Sequence, residues 1–225
     1  MSRIVPSKSV PSKAPRITIS IASAANDRLL AVLANSVRVL TLQQAQAVTG
    51  DATLAACRRR IGRLEARALL STRAAWITPP IIGEEPLLRW SSGLPAPAAE
   101  NLARITHNRW AEPAQSVRIA VATDETRNRL STIGIRPPRE SEIAHDLWVA
   151  EVFVRRYLDH PTYAWLHEDG FGDLLADGAK PDALLTVGND EDPVVAVELL
   201  GDYRHDKIQR FHSYCSEHGL AYELW

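Results

Sequence analysis

Apolar positions recur at helical spacing from Asn26 onward. Leu29, Leu30, Val32, Leu33 and Val37 make the inner face of a first helix. Thr41 stands three residues before Gln44, the signature of a capping box, and opens a second, short helix ending near Thr49-Gly50. Asp51 is suited to cap a third helix, in which Leu54, Cys57, Ile61, Leu64 and Ala68 repeat at spacings of 3, 4, 3 and 4. The segment 71–80 then reads as a short strand closed by two prolines. Leu102, Ile105 and Trp110 mark an amphipathic stretch. Residues 116–123 alternate as a strand, and 123–134 form a short helix begun by a capping Thr and closed by a Gly. Residues 141–158, with Ser141 as cap, are apolar on more than one side through Ile143, Leu147, Val149, Ala150, Phe153, Val154 and Tyr157. Such a helix belongs between two layers. Strands follow around 162–169 and 180–187. The continuous apolar run at 194–200 suits a central strand covered on both faces. Ile208, Phe211 and Cys215 share a face of one more helix, and 220–225 is a last strand.

Charge divides this chain unevenly. Residues 1–80 hold twelve Lys/Arg against three Asp/Glu, whereas 140–225 hold six against eighteen, and the total is −1. A cationic end beside an anionic one implies two jobs, and the cationic part suits a polyanion such as nucleic acid. The pattern partitions into a disordered basic arm (1–16), a helical unit (17–82), a connector with one strand and helices (83–139) and an α/β unit (140–225). No apolar run approaches the roughly 18 residues of a membrane span, and none follows the basic N-terminus as in a secretory signal. Cys57 and Cys215 form no repeating pattern, which suits a reducing cytoplasm.

The first unit carries its arginines in one place. Arg59, Arg63 and Arg67 lie at i, i+4 and i+8 on the third helix, flanked by Arg58 and Arg60, and Arg73 follows in the strand after it. Helix, short helix, Gly-containing turn, Arg-rich helix and strand together resemble a winged helix-turn-helix. That resemblance implies that the third helix enters the major groove of double-stranded DNA, where an Arg reads guanine or contacts phosphate.

In the second unit the order is helix, three strands, helix, strand. Pro181-Asp182 opens one strand and Glu198 lies sixteen residues later in the next. This order and these residues resemble the PD-(D/E)XK nuclease fold. The likeness implies that Asp182 and Glu198, with Glu151 from the preceding helix, hold Mg²⁺ if the site is active. The lysine of such sites follows two residues after the Glu, on the same strand face, and that position is Leu200. Lys207, in the first turn of the next helix, is a geometric substitute; Arg204 is not, because it stays protonated. The catalytic set would then be Asp182, Glu198 and Lys207.

The segments 144–158, 180–185 and 195–202, following a winged helix, resemble the replication-relaxation family of plasmid and mobile-element proteins over most of 26–225. An α+β fold and DNA binding in regulation, replication or transfer are what this resemblance implies. Duplex binding itself requires no cofactor. Three functions stay open: a DNA-binding protein whose nuclease-like domain no longer cuts and serves dimerisation or partner docking, a Mg²⁺-dependent endonuclease targeted by its winged helix, or a scaffold whose acidic domain recruits a basic partner. Leu200 and the anionic balance favour the first. Trp148, Trp165, Phe171 and Trp225 are the large apolar residues expected to support a homodimer. His205, His212, Cys215 and His218 have spacings compatible with zinc, but Cys215 also fits an apolar stripe and the group reads as structural. His107 and His145 likewise read as structural.

Overall fold

In the computed structural model the described residues are 24–78, 82–107, 109, 113–159, 163–171, 180–187 and 193–225. The expected basic arm, Trp110 and the loops 172–179 and 188–192 lie outside them. The described residues form a mixed α+β protein with seven α-helices and two sheets.

Helix α1 (Ala25–Asn35) buries Leu29, Leu30, Val32 and Leu33. Strand β1 (Leu40–Thr41) leads directly into α2 (Leu42–Thr49). The capping box forms: Thr41 Oγ1 accepts from Gln44 N at 3.2 Å, and Gln44 Oε1 accepts from Thr41 N at 2.9 Å. Gly50 ends α2 at φ 70°, a left-handed conformation that a Cβ disfavours. Helix α3 (Leu54–Ala66) is capped by Thr53, whose Oγ1 accepts from Ala56 N at 3.1 Å. Asp51, expected in that role, is instead engaged by Arg60. The helix is also shorter than its periodicity implied. Ala68 takes φ 54° in the turn beyond it, and Leu70 begins β2 (Leu70–Ile77).

Strand β2 pairs with β4 (Gln115–Ala122), antiparallel, and β4 also pairs with β1, giving the order β1-β4-β2. Thus the segment expected as a connector supplies the central strand of the first sheet. It also reaches the second sheet through β3 (Leu88–Trp90) and α4 (Ala99–His107). Helix α5 (Asp124–Leu130) starts at the expected cap, Thr123, but stops at Ser131 rather than Gly134.

Helix α6 (Ile143–Asp159) lies between the sheets, as its pattern, apolar on more than one side, predicts. Ser141 does not cap it; residues Glu140–Glu142 form a 3₁₀ turn that leads in. Ile143 and Leu147 pack on the first sheet with Val39, Ala75, Ile77, Ile119 and Val121. Trp148, Val149 and Val152 pack on the second with Ala183, Leu185, Val197, Leu199 and Trp225. That second sheet holds β5 (Tyr163–His167), β6 (Ala183–Val187), β7 (Pro193–Glu198) and β8 (Ala221–Leu224), in the order β3-β8-β7-β6-β5. Only β7 and β8 are parallel, and α7 (His205–Glu217) makes the crossover between them. Its Ile208, Phe211 and Cys215 cover the face opposite α6.

The aromatic residues expected to support a dimer are otherwise employed. Trp148, Phe171 and Trp225 are buried in the core, and the half-buried Trp165 donates from Nε1 to Ser36 O at 3.0 Å. Burial on folding has already used their apolar surface. Among the described residues no helix is long and apolar enough to cross a membrane.

A buried ion network joins the two sheets. Arg38, 2% exposed, donates to Asp146 Oδ1 at 2.9 Å, Glu168 Oε1 at 2.6 Å and Asp169 Oδ1 at 2.7 Å. Beside it Gln44 Nε2 donates to Leu147 O and Glu151 Oε2, each at 3.0 Å.

Candidate functional site

Two places carry chemistry. The first is the outer face of α3. Its inner residues Cys57, Ile61 and Leu64 pack into the core with α1 and α2, which turns the remaining face to solvent. Arg58, Arg59 and Arg63 are exposed there, as is Arg67 at its C-cap, and none of these side chains makes a hydrogen bond or ion pair with another described residue. Arg60 differs. It donates from Nε and Nη2 to Asp51 at 2.9 and 2.7 Å and from Nη1 to Asn26 Oδ1 at 2.7 Å. This fork holds the Asp51 carboxyl below its usual range and ties α3 to α1. Arg73 also has a partner, donating to Glu140 at 2.6 Å. Four of the six predicted DNA contacts are therefore presented together, and two are engaged in ion pairs within the fold.

The second place is one end of the second sheet. In the β6–β7 ladder Ala183 faces Val197 and Leu184 faces Ala196, so Asp182 stands directly across from Glu198. Residues opposite each other share a sheet face, which brings both carboxylates to one spot. They are 8% and 4% exposed. Asp182 Oδ2 accepts from Leu199 N at 2.7 Å, and Oδ1 lies 3.2 Å from His145 Nε2 in the first turn of α6. Lys207, from the first turn of α7, brings Nζ to 3.8 Å of Glu198 Oε1 and lies over the Tyr203 ring. Tyr203 is itself hydrogen-bonded to Glu198.

The charges within this group are unequal. Burial works against ionisation of Asp182, yet the charge and hydrogen bond of His145 and the Leu199 amide hold its carboxyl below the usual range. Glu198 is pushed well above its range, first by burial and then by the Asp182 charge, which outweigh Lys207 and Tyr203. His145 is opposed by burial but raised to about 9 by Asp182, so it is an imidazolium near neutral pH. His167, buried on the same flank, is lowered to about 3 by burial and by Arg38 and stays neutral.

The structure thus brings together Asp182, Glu198 and Lys207. It does not bring Glu151, which accepts from Gln44 and pairs with Arg155 at 3.3 Å. On a helix, residues 145 and 151 point about 120° apart and lie about 9 Å apart along the axis, so only one can face Asp182. His145 and Tyr203 are site residues that sequence reasoning missed. His145 resembles any polar residue near a helix start, and Tyr203 falls in an irregular link with no period to read. Leu200 is 1% exposed, with Trp90, Phe171 and Phe211 in its core cluster, so the usual lysine position is part of the core. Cys215 and two of the histidines read as structural take places within the fold. Cys215 is buried, His212 bonds to Tyr222 Oη at 2.9 Å, and His218 bonds to Tyr214 O at 2.7 Å.

Asp182 and Glu198 offer the hard oxygen ligands that Mg²⁺ takes. Glu198 Oε2 is buried without a hydrogen-bond partner among the described residues, an acceptor open to a proton or a cation. Those two side chains fit such an ion; no group of three or more His, Cys, Asp or Glu among the described residues is placed to hold one. No family model, curated protein or solved structure matches the chain.

Proposed function

We propose that the chain is a double-stranded DNA-binding protein of a plasmid or mobile element, acting in regulation, replication or transfer. It is a winged helix-turn-helix docked through α6 on a PD-(D/E)XK-like domain that serves as a platform rather than a blade. The observation that carries this is the exposed, unpaired row Arg58, Arg59, Arg63 and Arg67 on α3, set on a β1-β4-β2 sheet behind α1 and α2. Helix, strand, two helices and two antiparallel strands, the last two separated by β3 and α4, follow the layout of a winged helix. The −12 balance of residues 140–225 opposes DNA on that side and leaves the cationic helix as the contact.

The test is an equilibrium titration of duplex DNA with wild type and with Arg59→Ala/Arg63→Ala. Affinity should fall severalfold or more, and the slope of log affinity against log salt should drop by about 1.8 if both contact phosphate. Unchanged binding by a folded variant refutes α3 as the contact.

A second function, a Mg²⁺-dependent endonuclease, is favoured by one observation: Lys207 occupies the vicinity of Glu198 although residue 200 is Leu. The helix, three strands, crossover helix and parallel last strand support the nuclease-like layout as well. Asp182 and Glu198 would hold the ion, whose contribution when bound is Lewis acidity toward the phosphodiester. Lys207 would orient the attacking water, and Tyr203 would hold Glu198. Cutting of plasmid DNA with Mg²⁺ that disappears in both Asp182→Ala and Lys207→Ala establishes this function. Intact plasmid, together with no Mn²⁺ binding by calorimetry, removes it.

A further inference from the structure

The outer half of β2 and β4 carries a feature that duplex binding by α3 does not use. Trp76 is 76% exposed, more than any other large apolar side chain among the described residues. Strand alternation places Thr72, Ala74 and Trp76 on the face of β2 that begins with Leu70, which packs under α3. The helix ends at that point, where Glu65 Oε1 accepts from Thr72 N at 3.0 Å and Thr72 Oγ1 at 2.8 Å. Beyond Thr72 the strand runs on uncovered, and Ala74 and Trp76 are both exposed. Trp76 lies opposite Ser116, and Ala74 lies opposite Arg118. The indole is therefore bordered by two short side chains, while the Arg118 guanidinium turns the other way, toward Thr72 and Glu65. Arg118 is held in place by Thr72 Oγ1, at 3.3 Å from Nε and 3.1 Å from Nη2.

We propose that Trp76 forms a stacking platform for an unpaired base, so that the protein favours a duplex carrying a single-stranded arm over a fully paired one. This rests on the DNA-binding function above and names its substrate more closely. Bases inside a duplex already stack on their neighbours and have no free face for an indole. An unpaired base has one, and aromatic stacking binds it whatever its identity. The neighbours fit this occupant better than a protein partner, because a lone indole beside Ala74 and Ser116 is not a contiguous apolar patch. Four residues of strand put Trp76 about 13 Å past Thr72, where α3 ends. That span corresponds to about four nucleotides of one strand. A duplex on α3 with an arm leaving toward the β2–β4 end reaches the ring.

The experiment compares full-length protein on a labelled blunt duplex and on the same duplex extended by an oligo-dT arm, read by fluorescence anisotropy. The arm should raise affinity about five- to a hundredfold, the range for one stacked base. Trp76→Ala should abolish the preference for the arm, and Trp76→Phe should keep part of it. The exposure of Trp76 means that neither change disturbs the core. Equal affinity of wild type for the two DNAs, or a preference that survives Trp76→Ala, overturns the platform while leaving duplex binding intact. Absence of binding to either DNA overturns duplex binding as well, so the two failures are distinct.

Discussion

Arg38 offers the sharpest test of how the two sheets are held together. Replacing it with Met keeps the length and most of the apolar stem but removes the charge from among Asp146, Glu168 and Asp169. The three carboxylates lose unequally. Glu168 is 28% exposed and can rehydrate; Asp169 is 15% exposed and keeps Arg136 at 3.7 Å. Asp146 is 3% exposed, its Oδ1 accepts from Arg38, and its Oδ2 has no partner among the described residues. Leaving such a carboxylate uncompensated costs about 3–5 kcal/mol, a third or more of the stability of an ordinary domain. Urea unfolding followed by tryptophan fluorescence reads this directly, since Trp165 is bonded to Ser36, two residues from Arg38. Arg38→Met/Asp146→Asn should recover about 2 kcal/mol or more of the loss, because no buried charge then remains at Asp146. The pH dependence has a definite sign. Burial already raises the Asp146 carboxyl despite Arg38, and without Arg38 it rises further. A raised folded-state carboxyl takes up its proton as pH falls, so the deficit of Arg38→Met should shrink between pH 7 and pH 5. A variant within about 1 kcal/mol of wild type, or a deficit that Asp146→Asn does not reduce, refutes the assignment of this network as the joint.

Four further outcomes follow from the same geometry. Thr41→Ala removes the capping box of α2 and should lower stability by about 0.5–2 kcal/mol in urea unfolding, with unchanged denaturant slope. Arg60→Ala should lower the melting temperature, whereas Arg63→Ala should lower DNA affinity with little change in melting, a separation that paired melting and titration experiments detect. The His145 imidazole should titrate near 9 by NMR and fall in Asp182→Asn; its raised value means the pair stabilises the fold fully below pH 6.5, and the contribution is lost as pH rises through about 9. Leu200→Lys should destabilise the protein by several kcal/mol rather than supply a useful amine, because that position is 1% exposed; a melting temperature equal to wild type would contradict this.

What sequence determined by itself were the features governed by near neighbours. The capping box of Thr41 and Gln44, the Gly50 stop, the buried faces of α1 and α3 and the burial of α6 on two sides are consequences of periods and caps within one element. The order of elements from α6 to β8 was legible for the same reason, and with it the pairing of Asp182 and Glu198, since antiparallel neighbours in a short link have few registers open to them. Tertiary structure decided the rest. Nothing local indicates that β4 is the partner of β2 across an excursion of 37 residues between Ile77 and Gln115, because a strand's hydrogen bonds name no partner. The same limit hid the roles of Arg60 and Arg63, which read alike along the helix and differ only because Asp51 and Asn26 stand beside one of them. It also hid His145, which stands beside Asp182 although 37 positions separate them in the chain. Periodicity reports which side of an element is apolar; what lies against that side depends on contacts between distant residues, and only the packed chain contains them.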